Sequence, residues 1–518
     1  MNKKYALFFM LFSLCLNIFM YVICLAETTD KIPTYKKEDF IASANTKKVL
    51  KIGLVDCIAF ALRNNSEIKI KKIEPRLKES DIKIARSDFE PSFDATYKLR
   101  DNTNQNNSTA YTDNTINSRD EDINAGLSGK LYTGTKYNMD FLNNRSKDDP
   151  SSASLRNDNY TSEAKITITQ PLLKGFGVQV NRADITIAKN DKNISEEDFE
   201  NTVADIITKT KAAYYNYIFY TEKHNIAKSS LKRAEDMLQI NNKRYKAGLV
   251  SSLTLLETKT AVAKRQKNLI SAESTLKKSE DELKLITSLV DDPSLWNTEI
   301  VPLDKPVFTK EYVDLARSLS NAFQYRPDYA SEEIALENRD IKIKKAKNVL
   351  FPTLDLVGSF GLNGLGDNLD EALSKVGTGD YEDWSIGLNF KVPLGNKKAR
   401  GEYNKKKLEK IQALISFKRL EQNIILEVRD KVREVDIQYR QVEASSLSRE
   451  AETQNYNVQN ERYTAGEVST HDMLDYQERL SQAELDYIKA LIDHEISIIN
   501  LDKSEGLTLV KNDIKLER

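Results

Sequence analysis

The chain contains one short stretch twice: RYKAGLVSS at residues 244–252 and RYTAGEVST at residues 462–470. The glycine in each copy permits a left-handed backbone, which commonly ends an α-helix. Each copy is followed by a Leu-, Glu- and Ala-rich helical pattern. The two copies lie about 220 residues apart, a separation much longer than a solenoid repeat. The duplication therefore predicts two structural halves, each with a helix, a glycine turn and a returning helix.

Proline residues mark matching joints in the two halves. Pro91 and Pro352 each end a helical pattern and begin an extended region, because the residue before a proline avoids the helical conformation. Pro171 and Pro393 each stand before a Leu, ahead of the longest helical pattern of their half. The patterns predict first helices at about 54–89 and 312–350, long helices at about 181–246 and 397–464, and return helices that end near 289 and 501. Each long helix has no internal proline and would extend roughly 100 Å.

Helices of this length need lateral partners, because their stability comes mainly from a packed apolar stripe. The sequence predicts such a stripe on both limbs of the first hairpin: Leu231, Ala234, Leu238 and Tyr245 on one limb, and Leu253, Leu256, Thr260 and Ala263 on the other.

The regions between these helices alternate apolar and polar residues, which is typical of half-buried strands. The alternation predicts strands at about 93–99, 123–131, 137–141 and 164–168 in the first half, and at about 354–362 and 386–390 in the second. Polar, Asn-rich loops at 102–119 and 146–159 lie at one end, and the prolines and a tight turn at 132–135 lie at the other. Strands of about ten residues match outer-membrane spans. The edge of a soluble sandwich would also alternate, but the basic and then apolar N-terminal residues 1–25, which are typical of an export signal, favour a membrane barrel.

The N-terminus reads as a targeting segment. Residues 1–4 are basic, residues 6–25 are almost wholly apolar, and small residues precede Glu27, so we expect a signal peptide at 1–26. A retained membrane anchor is the alternative, and lipidation of Cys24 is disfavoured by the residues before it. Only Cys57 would remain in the mature chain, so no intrachain disulfide is expected. No later segment approaches a transmembrane helix, so a membrane span would have to use strands.

Composition and motifs argue against several classes of function. The 518-residue chain has a net charge of -1, which disfavours nucleic-acid binding. Gly175-Phe176-Gly177 lacks the third glycine of a dinucleotide site, and His224, His471 and His494 lack metal-ligand spacing. Asp291-Asp292-Pro293 is interpreted as a helix stop. No nucleophile has a recognisable His and acid partner, so we expect no catalytic, cofactor or metal site, and no enzyme.

The chain resembles the TolC-type outer-membrane efflux proteins. The resemblance rests on the duplicated order of elements, on QPLLKGFG at 170–177, on Asn181-Arg182-Ala183 and on the two RYxAG turns. It implies a mixed α and β fold: long antiparallel coiled-coil helices forming a periplasmic α-barrel, and a trimeric β-barrel in the outer membrane. It also implies a homotrimer that works with a periplasmic adaptor and an inner-membrane transporter, as the exit duct of a tripartite efflux pump or a type I secretion system. The extra predicted hairpin at 123–144 departs from the family pattern. The alternative function is a structural periplasmic coiled coil or an adhesin-like surface protein.

With the resemblance, the chain divides into a signal peptide (1–26), an N-terminal segment (27–50), a first repeat (51–310, with strands at 92–170), a second repeat (311–503, with strands at 353–392) and a tail (504–518).

The four prolines would join the barrel to the tunnel. The two turns, with Gly248, Leu249, Gly466 and Glu467, would contact the adaptor. Asp472 and Asp475 lie one helical turn apart and would form carboxylate rings at the periplasmic gate. Asp472 also fits a helix-capping position, which is the alternative for that residue. The gate would be weakened by Val468 and Thr254, which stand where some members carry Arg and Asp.

Overall fold

The computed structural model describes residues 49–105, 115–148, 158–306, 308 and 313–516. The predicted signal peptide, with Cys15 and Cys24, and parts of the two polar loops lie outside these residues. The described helices are α1 (Leu54–Asn64), α2 (Ser66–Ser87), α3 (Val178–Asn181), α4 (Ala183–Lys246), α5 (Ser252–Ile286), α6 (Leu315–Tyr325), α7 (Pro327–Asn348), α8 (Leu369–Thr378), α9 (Lys397–Ala465), α10 (Thr470–Ser504) and α11 (Thr508–Lys511). The described strands are β1 (Val49–Ile52), β2 (Ser92–Gln105), β3 (Thr115–Lys130), β4 (Lys136–Asp148), β5 (Asp158–Pro171), β6 (Glu299–Pro302), β7 (Thr353–Gly366) and β8 (Glu382–Lys391).

A small unit contains the described residues 49–50 and 289–301. It includes a short 3-10 helix, Leu289–Asp291, followed by a turn in which the Asp292 carboxylate accepts a hydrogen bond from the Ser294 N–H at 2.8 Å. The remaining described residues belong to a second, much larger unit.

The first helix of each half is broken, where the sequence predicts a continuous one. Asn65 separates α1 from α2; its side-chain oxygen accepts from the Glu67 and Ile68 N–H groups, and its amide donates to the Ile286 carbonyl at 3.0 Å. Arg326 separates α6 from α7, because Pro327 forces an extended residue before it. Arg326 donates to the Ser504 carbonyl at 3.2 Å. Each break is thus tied to the last residue of the return helix of its own half.

The long helices lie where the sequence predicts them. α4 has 64 residues and α9 has 69, so each extends about 100 Å at ~1.5 Å per residue. Towards the glycine turns the packing order is α5, α4, α10, α9; towards the sheet it is α2, α4, α7, α9. α4 and α9 therefore run through both parts of the helical layer, and α2, α5 and α9 form its edges.

The apolar stripe of the first hairpin only partly follows the prediction. On α4, Leu231 and Ala234 are buried but Tyr245 is 44% exposed, and Met237 and Asn241 continue the buried face. On α5, the predicted Leu253 and Leu256 are 64% and 60% exposed. The buried residues of α5 are instead Thr258, Arg265, Ala272, Ser279, Glu280, Leu283 and Lys284. The prediction for α5 is wrong because the face of α5 that carries Leu253 and Leu256 points away from α4.

The main sheet has six strands in the order β2-β3-β4-β5-β7-β8, and every neighbouring pair is antiparallel. All six predicted strand positions are confirmed, and the additional hairpin, β3 with β4, is part of the same sheet. The helix α8 was not predicted. It packs against β7 and β5, and a side chain at Gly364 or Gly366 would collide with its backbone at Ala372.

The two faces of the sheet differ in chemistry. One face, here called the apolar face, carries the aligned residues Phe93, Leu127, Met139, Ile166, Phe360 and Trp384. The opposite polar face carries Asp94, Gly126, Asp140, Lys165, Gly361 and Asp383 one position along. The apolar side chains are largely exposed, and Trp384 is 72% exposed. A core formed by the described residues therefore does not explain the alternation.

The buried core of the larger unit consists of separate clusters along the helices. One cluster joins α1, α2 and α4 through Ile58, Ala61, Ile68, Val203, Ile206 and Ile207. Cys57 lies in α1 and is fully buried. Burial, together with the nearby carboxylates of Asp56 and Asp304, raises the pKa of its thiol to about 12. The thiol therefore stays protonated and unreactive.

Among the described residues, no helix combines the length and the low charge that crossing a bilayer requires.

Candidate functional site at the helix hairpin tips

The two repeated stretches form the same turn. The Leu249 N–H donates to the Arg244 carbonyl at 2.9 Å, and the Gly248 N–H donates to the Tyr245 carbonyl at 3.0 Å. In the second copy, Glu467 donates to Arg462 at 3.0 Å and Gly466 donates to Tyr463 at 3.1 Å. Both glycines have positive φ, 73° and 86°, which completes a Schellman motif in each copy.

A serine caps the helix that follows each turn. The Ser251 hydroxyl accepts from the Thr254 N–H at 3.2 Å, and the Ser469 hydroxyl accepts from the Asp472 N–H at 3.1 Å. The Ser469 hydroxyl also donates to the Asp472 carboxylate at 2.7 Å. Asp472 therefore occupies the capping position that the sequence offered as its alternative role. A carboxylate in the first turn also interacts favourably with the helix dipole.

Asp475 lies one turn further along α10 and remains exposed. Its carboxylate forms an ion pair with Arg479 at 2.8 Å. The two predicted gate residues are therefore on one exposed face of α10, but each already has a local partner. Leu249 and Glu467 in the turns are both exposed, and Leu249 is 74% exposed.

A buried polar cluster, which no pattern in the sequence indicates, lies just inside the turns. The Asn241 amide donates to the Thr258 hydroxyl at 2.9 Å and to the Thr470 hydroxyl at 3.3 Å. The Tyr463 hydroxyl donates to the Asn241 side-chain oxygen at 2.7 Å. These four side chains come from α4, α5, α9 and α10 and are at most 7% exposed. We call them the tip cluster; they join both hairpins of the chain.

The two repeated arginines make different contacts. Arg244 donates to the carbonyls of Tyr463 and Thr464 at 3.0 and 3.3 Å, and its guanidinium lies 4.8 Å from the centre of the Tyr463 ring. It therefore joins the first hairpin to the C-terminus of α9. Arg462 instead pairs with Glu467 at 3.1 Å, within its own turn.

A third connection lies deeper in the helical layer. Arg265 on α5 is 4% exposed, hydrogen-bonds Ser230 on α4, and lies 3.5 Å from the Glu478 carboxylate on α10. Burial lowers the pKa of the Arg265 guanidinium, an effect opposed by Glu478. No local pattern in the sequence singles out this residue, because an arginine on a charged helix is most often solvated.

The four predicted junction prolines all lie at boundaries between strands and helices. Pro91 and Pro352 stand directly before β2 and β7, Pro171 ends β5, and Pro393 follows β8. Next to them, the Asn348 side chain accepts from the Gly175 N–H at 2.7 Å, and a side chain at Gly134 would collide with the Gly175 carbonyl. Gly175 and Gly177 have positive φ angles of 85° and 101°, so backbone conformation, rather than a ligand, accounts for these glycines.

The histidines are dispersed. His494 is buried against Phe308 and Tyr439, whereas His224 is half-buried and His471 is exposed. No group of three His, Cys, Asp or Glu residues in the described part of the chain could hold a metal ion.

The sequence profile of the outer membrane efflux protein family matches residues 58–288 and 318–507, which is most of both repeats. The chain belongs to the outer membrane efflux protein family. Membership confirms the family resemblance, the fold class and the outer-membrane location that the sequence predicts. This is a family of conduits and not a known family of enzymes.

Curated relatives in this family have export functions in their names. The chain is 21% identical over 294 residues to the pyoverdine export outer membrane protein OpmQ of Pseudomonas aeruginosa, covering 56% of this chain and 59% of that protein. It is 22% identical over 344 residues to the proteases secretion protein PrtF of Dickeya chrysanthemi, covering 66% and 64%. The chain thus spans about three fifths of the length of these relatives.

Solved structures share the fold over nearly the whole chain. The Campylobacter jejuni CmeC outer membrane channel has a TM-score of 0.65 and 19% identity, covering 93% of this chain and 91% of that one. The outer-membrane channel OprN has a TM-score of 0.66 and 16% identity, covering 93% and 98%. At this identity the similarity shows the fold alone.

Proposed function

We propose that this protein is a passive outer-membrane exit duct, a homotrimer whose helices cross the periplasm and whose strands cross the outer membrane. It would receive cargo from an inner-membrane transporter through a periplasmic adaptor, in efflux or in type I secretion, and it would catalyse no reaction. The observation that carries the proposal is that both the sheet and the helical layer end in edges that have no partner among the described residues.

The open edges of the sheet support an oligomer more strongly than the helical edges do. β2 and β8 are the terminal strands of the six-stranded sheet. Six strands are too few for a membrane barrel, which needs about eight or more. A lipid-exposed edge leaves backbone groups without hydrogen bonds, and hydrocarbon does not tolerate this. Pairing of β8 with β2 of the next copy would remove both edges, and the family resemblance implies three copies.

The helical edges carry matching apolar stripes. The exposed apolar residues of α2 are spaced three, four and seven apart, at Ile70, Ile73, Leu77 and Ile84. α9 exposes a long apolar stripe at Leu408, Ile411, Ile415, Leu426, Ile437, Leu447 and Val458. Spacing near seven or eleven residues keeps such side chains on one helix face. A neighbouring copy that places α2 and α5 against α9 would bury these stripes.

The apolar face of the sheet would then contact lipid, and the polar face would line the duct. On β3 the outward apolar positions extend from Ile123 to Leu127 and onward to Leu131 at the turn. The eight steps from Ile123 to Leu131, at about 3.3 Å each, cover roughly 26 Å along the strand. At the 35–45° tilt of barrel strands this is a rise of about 20 Å, somewhat less than the apolar band of outer-membrane barrels, which is about 25 Å tall.

The hairpin turns would meet the adaptor. Gly248, Leu249, Gly466 and Glu467 lie at the ends of the longest helices and are exposed. Bulky substitutions at Leu249 and Glu467 should abolish export in cells while trimers remain intact on gels. Normal export by such variants would contradict this contact.

Asp472 and Asp475 would form two rings of three carboxylates near these turns. Such rings attract cations, and like charges held close together disfavour joint ionisation. The Ser469 contact of Asp472 and the Arg479 contact of Asp475 are the competing structural roles.

The oligomer test is native mass measurement of the full-length protein in mild detergent, combined with single-channel recording in planar bilayers. We expect a trimer that inserts and conducts. A folded monomer that is stable in detergent and does not conduct would refute the proposal.

A further inference from the structure

We infer that the β3–β4 hairpin widens the membrane barrel to eighteen strands, so that the exit of the duct passes a polypeptide as wide as a pair of packed helices. β3–β4 is the hairpin that departs from the family pattern. The inference rests on the proposed homotrimer, in which three copies of the six-stranded sheet close one barrel. It assigns a size class to the cargo, which the proposed function leaves open.

β3 and β4 lie inside the sheet and not at its edge. They separate β2 from β5 in the strand order. β3 pairs with every residue of β2, and β4 pairs with β5 from Lys136 to Lys147. If the hairpin stood outside the barrel, β2 and β5 would each lose these hydrogen bonds within the membrane, which hydrocarbon does not tolerate. The hairpin is therefore part of the barrel wall.

The turn of this hairpin rests on the ends of two helices. The Gly177 N–H donates to the Thr133 carbonyl at 3.1 Å. The centre of the Tyr132 ring lies 4.6 Å from that of Phe89 and 5.2 Å from the Arg182 guanidinium. Phe89 follows α2 and Arg182 precedes α4. The turn thus contacts both helices at the level where the sheet meets the helical layer.

The other four strands each connect to one helix of that layer. β2 follows α2, β5 leads through α3 to α4, β7 follows α7, and β8 leads to α9. Four helices packed at roughly 9 Å occupy about 36 Å of circumference in each chain. Six strands spaced by ~4.8 Å and tilted by ~40° occupy about 38 Å, whereas four strands would occupy only about 25 Å. With β3 and β4, the barrel therefore keeps the width of the helical tunnel.

The resulting lumen is wide. Eighteen strands place the Cα atoms at a radius of about 18 Å, and inward side chains reduce the free radius to roughly 12 Å; twelve strands would leave roughly 6 Å. One level of the polar face carries only short polar side chains, on Ser92, Ser128, Asn138, Thr167, Ser359 and Ser385. The helix α8 lies on the other face, because Gly364 and Gly366, where a side chain would collide with α8, alternate onto the apolar face with Phe360.

This width decides the class of cargo. A single α-helix is about 10–12 Å wide with its side chains, and two helices packed side by side are roughly 20 Å wide. The packed pair fits a lumen of about 24 Å and not one of about 12 Å. The eighteen-stranded exit therefore accepts a polypeptide with helical structure, whereas a twelve-stranded exit would admit a small molecule or a single chain.

The test measures access to the lumen from outside intact cells that carry the full-length protein in the outer membrane. Ser385→Cys places a thiol deep in the lumen, on the exposed polar face of β8, and Asn102→Cys places one on the same face near the outer end of β2. The two reagents are a small maleimide and a maleimide carried by a two-helix hairpin peptide. The protein without either substitution is the blank, because Cys57 is buried. Labelling is read as a shift on gels.

A deletion variant provides the narrow comparison. Removing residues 106–157 and joining Gln105 to Asp158 through Asn-Gly deletes β3 and β4 and leaves β2 antiparallel to β5. The same two cysteine substitutions are made in this variant.

We expect the hairpin peptide to label both positions of the full-length protein. In the deletion variant it should still label Asn102→Cys, but it should label Ser385→Cys about tenfold more slowly or not at all, while the small maleimide reacts at both. The inference is overturned if the hairpin peptide labels Ser385→Cys equally with and without β3–β4. It is also overturned if either reagent fails at Ser385→Cys in the full-length protein. If the deletion variant does not reach the outer membrane, the full-length result alone decides, because a lumen of roughly 6 Å radius excludes the peptide.

The oligomer measurements separate this inference from the proposed function. If the full-length protein forms no trimer or does not conduct, the duct proposal fails. If it forms a conducting trimer whose lumen excludes the hairpin peptide, only the inferred width fails.

Discussion

The two hairpin tips share a sequence and a backbone, but they differ in what their side chains contact. Both turns have the same pair of hydrogen bonds and a glycine with positive φ. Arg244, however, crosses to the other hairpin, whereas Arg462 pairs within its own turn. At the third position of the following helix the first tip has Thr254 and the second has Asp472.

The difference follows from where each return helix lies. α5 is at an edge of the helical layer, and α10 lies between α4 and α9. The central helix consequently buries a longer series of residues, including Met473, Gln477 and Leu480 in its first turns. A repeated local sequence thus sets the same turn twice, and the surroundings give each copy different contacts.

Loss of the tip cluster should have the largest effect on both tips. Asn241→Ala would leave the buried Tyr463 hydroxyl and two threonines without their shared partner. We expect the free energy of unfolding to fall by about 2 kcal/mol, measured by denaturant unfolding followed by circular dichroism. Asn242→Ala, at the adjacent exposed position, is the control and should change stability little. Equal effects from the two variants would show that the cluster does not join the hairpins.

Substitution of the two repeated arginines should affect stability differently at the two tips. Arg244→Gln removes the contacts to two α9 carbonyls and to the Tyr463 ring, and we expect a loss of about 1 to 2 kcal/mol. Arg462→Gln removes an exposed pair, which should matter by about 0.5 kcal/mol or less. The same unfolding measurement, made side by side, decides the point. A larger effect at Arg462 would reverse the assignment of the connecting arginine.

Substitution of the two turn glycines should have the same effect on stability at both tips. Gly248→Ala and Gly466→Ala each force a side chain into a left-handed backbone, although neither meets a steric neighbour within 4 Å. We expect each to cost about 1 kcal/mol, and the two costs to be similar. Thermal unfolding of both variants measures this, and a cost at one tip only would mean that the turns are not equivalent.

The acidic residues found only at the second tip should have the smallest effect on stability. Asp472→Ala should cost roughly 0.5 to 1 kcal/mol through the cap, and Asp475→Ala less, because its ion pair is exposed. If the residues form the proposed rings, multivalent cations should block single channels from the periplasmic side, and the double variant should relieve the block. Unchanged block in the double variant would leave the cap as the role of Asp472.

The elements visible in local sequence were predicted well. The strand alternation located all six strands of the sheet, and the absence of proline located both long helices. The breaks at Asn65 and Arg326 were missed, although Pro327 was a signal for the second. α8 was also missed; Asn368 as its cap and Gly379 after its end were the available signals. The tip cluster and Arg265 had no local signal, since polar residues on charged helices are usually solvated.

By itself the sequence determined the duplicated architecture, the turns and the two-faced strands, because propensity, periodicity and proline placement act over a few neighbouring residues. Only the tertiary structure decided which helix face is buried, which arginine connects the hairpins and which polar side chains enter the core. Those outcomes depend on residues about 220 positions apart being brought within hydrogen-bonding distance, as Asn241 and Tyr463 are. No periodicity within one helix records which other helix will lie beside it. The apolar faces of α5 and α9 are the clearest case, since a single chain leaves them exposed and only the proposed neighbouring copies would cover them.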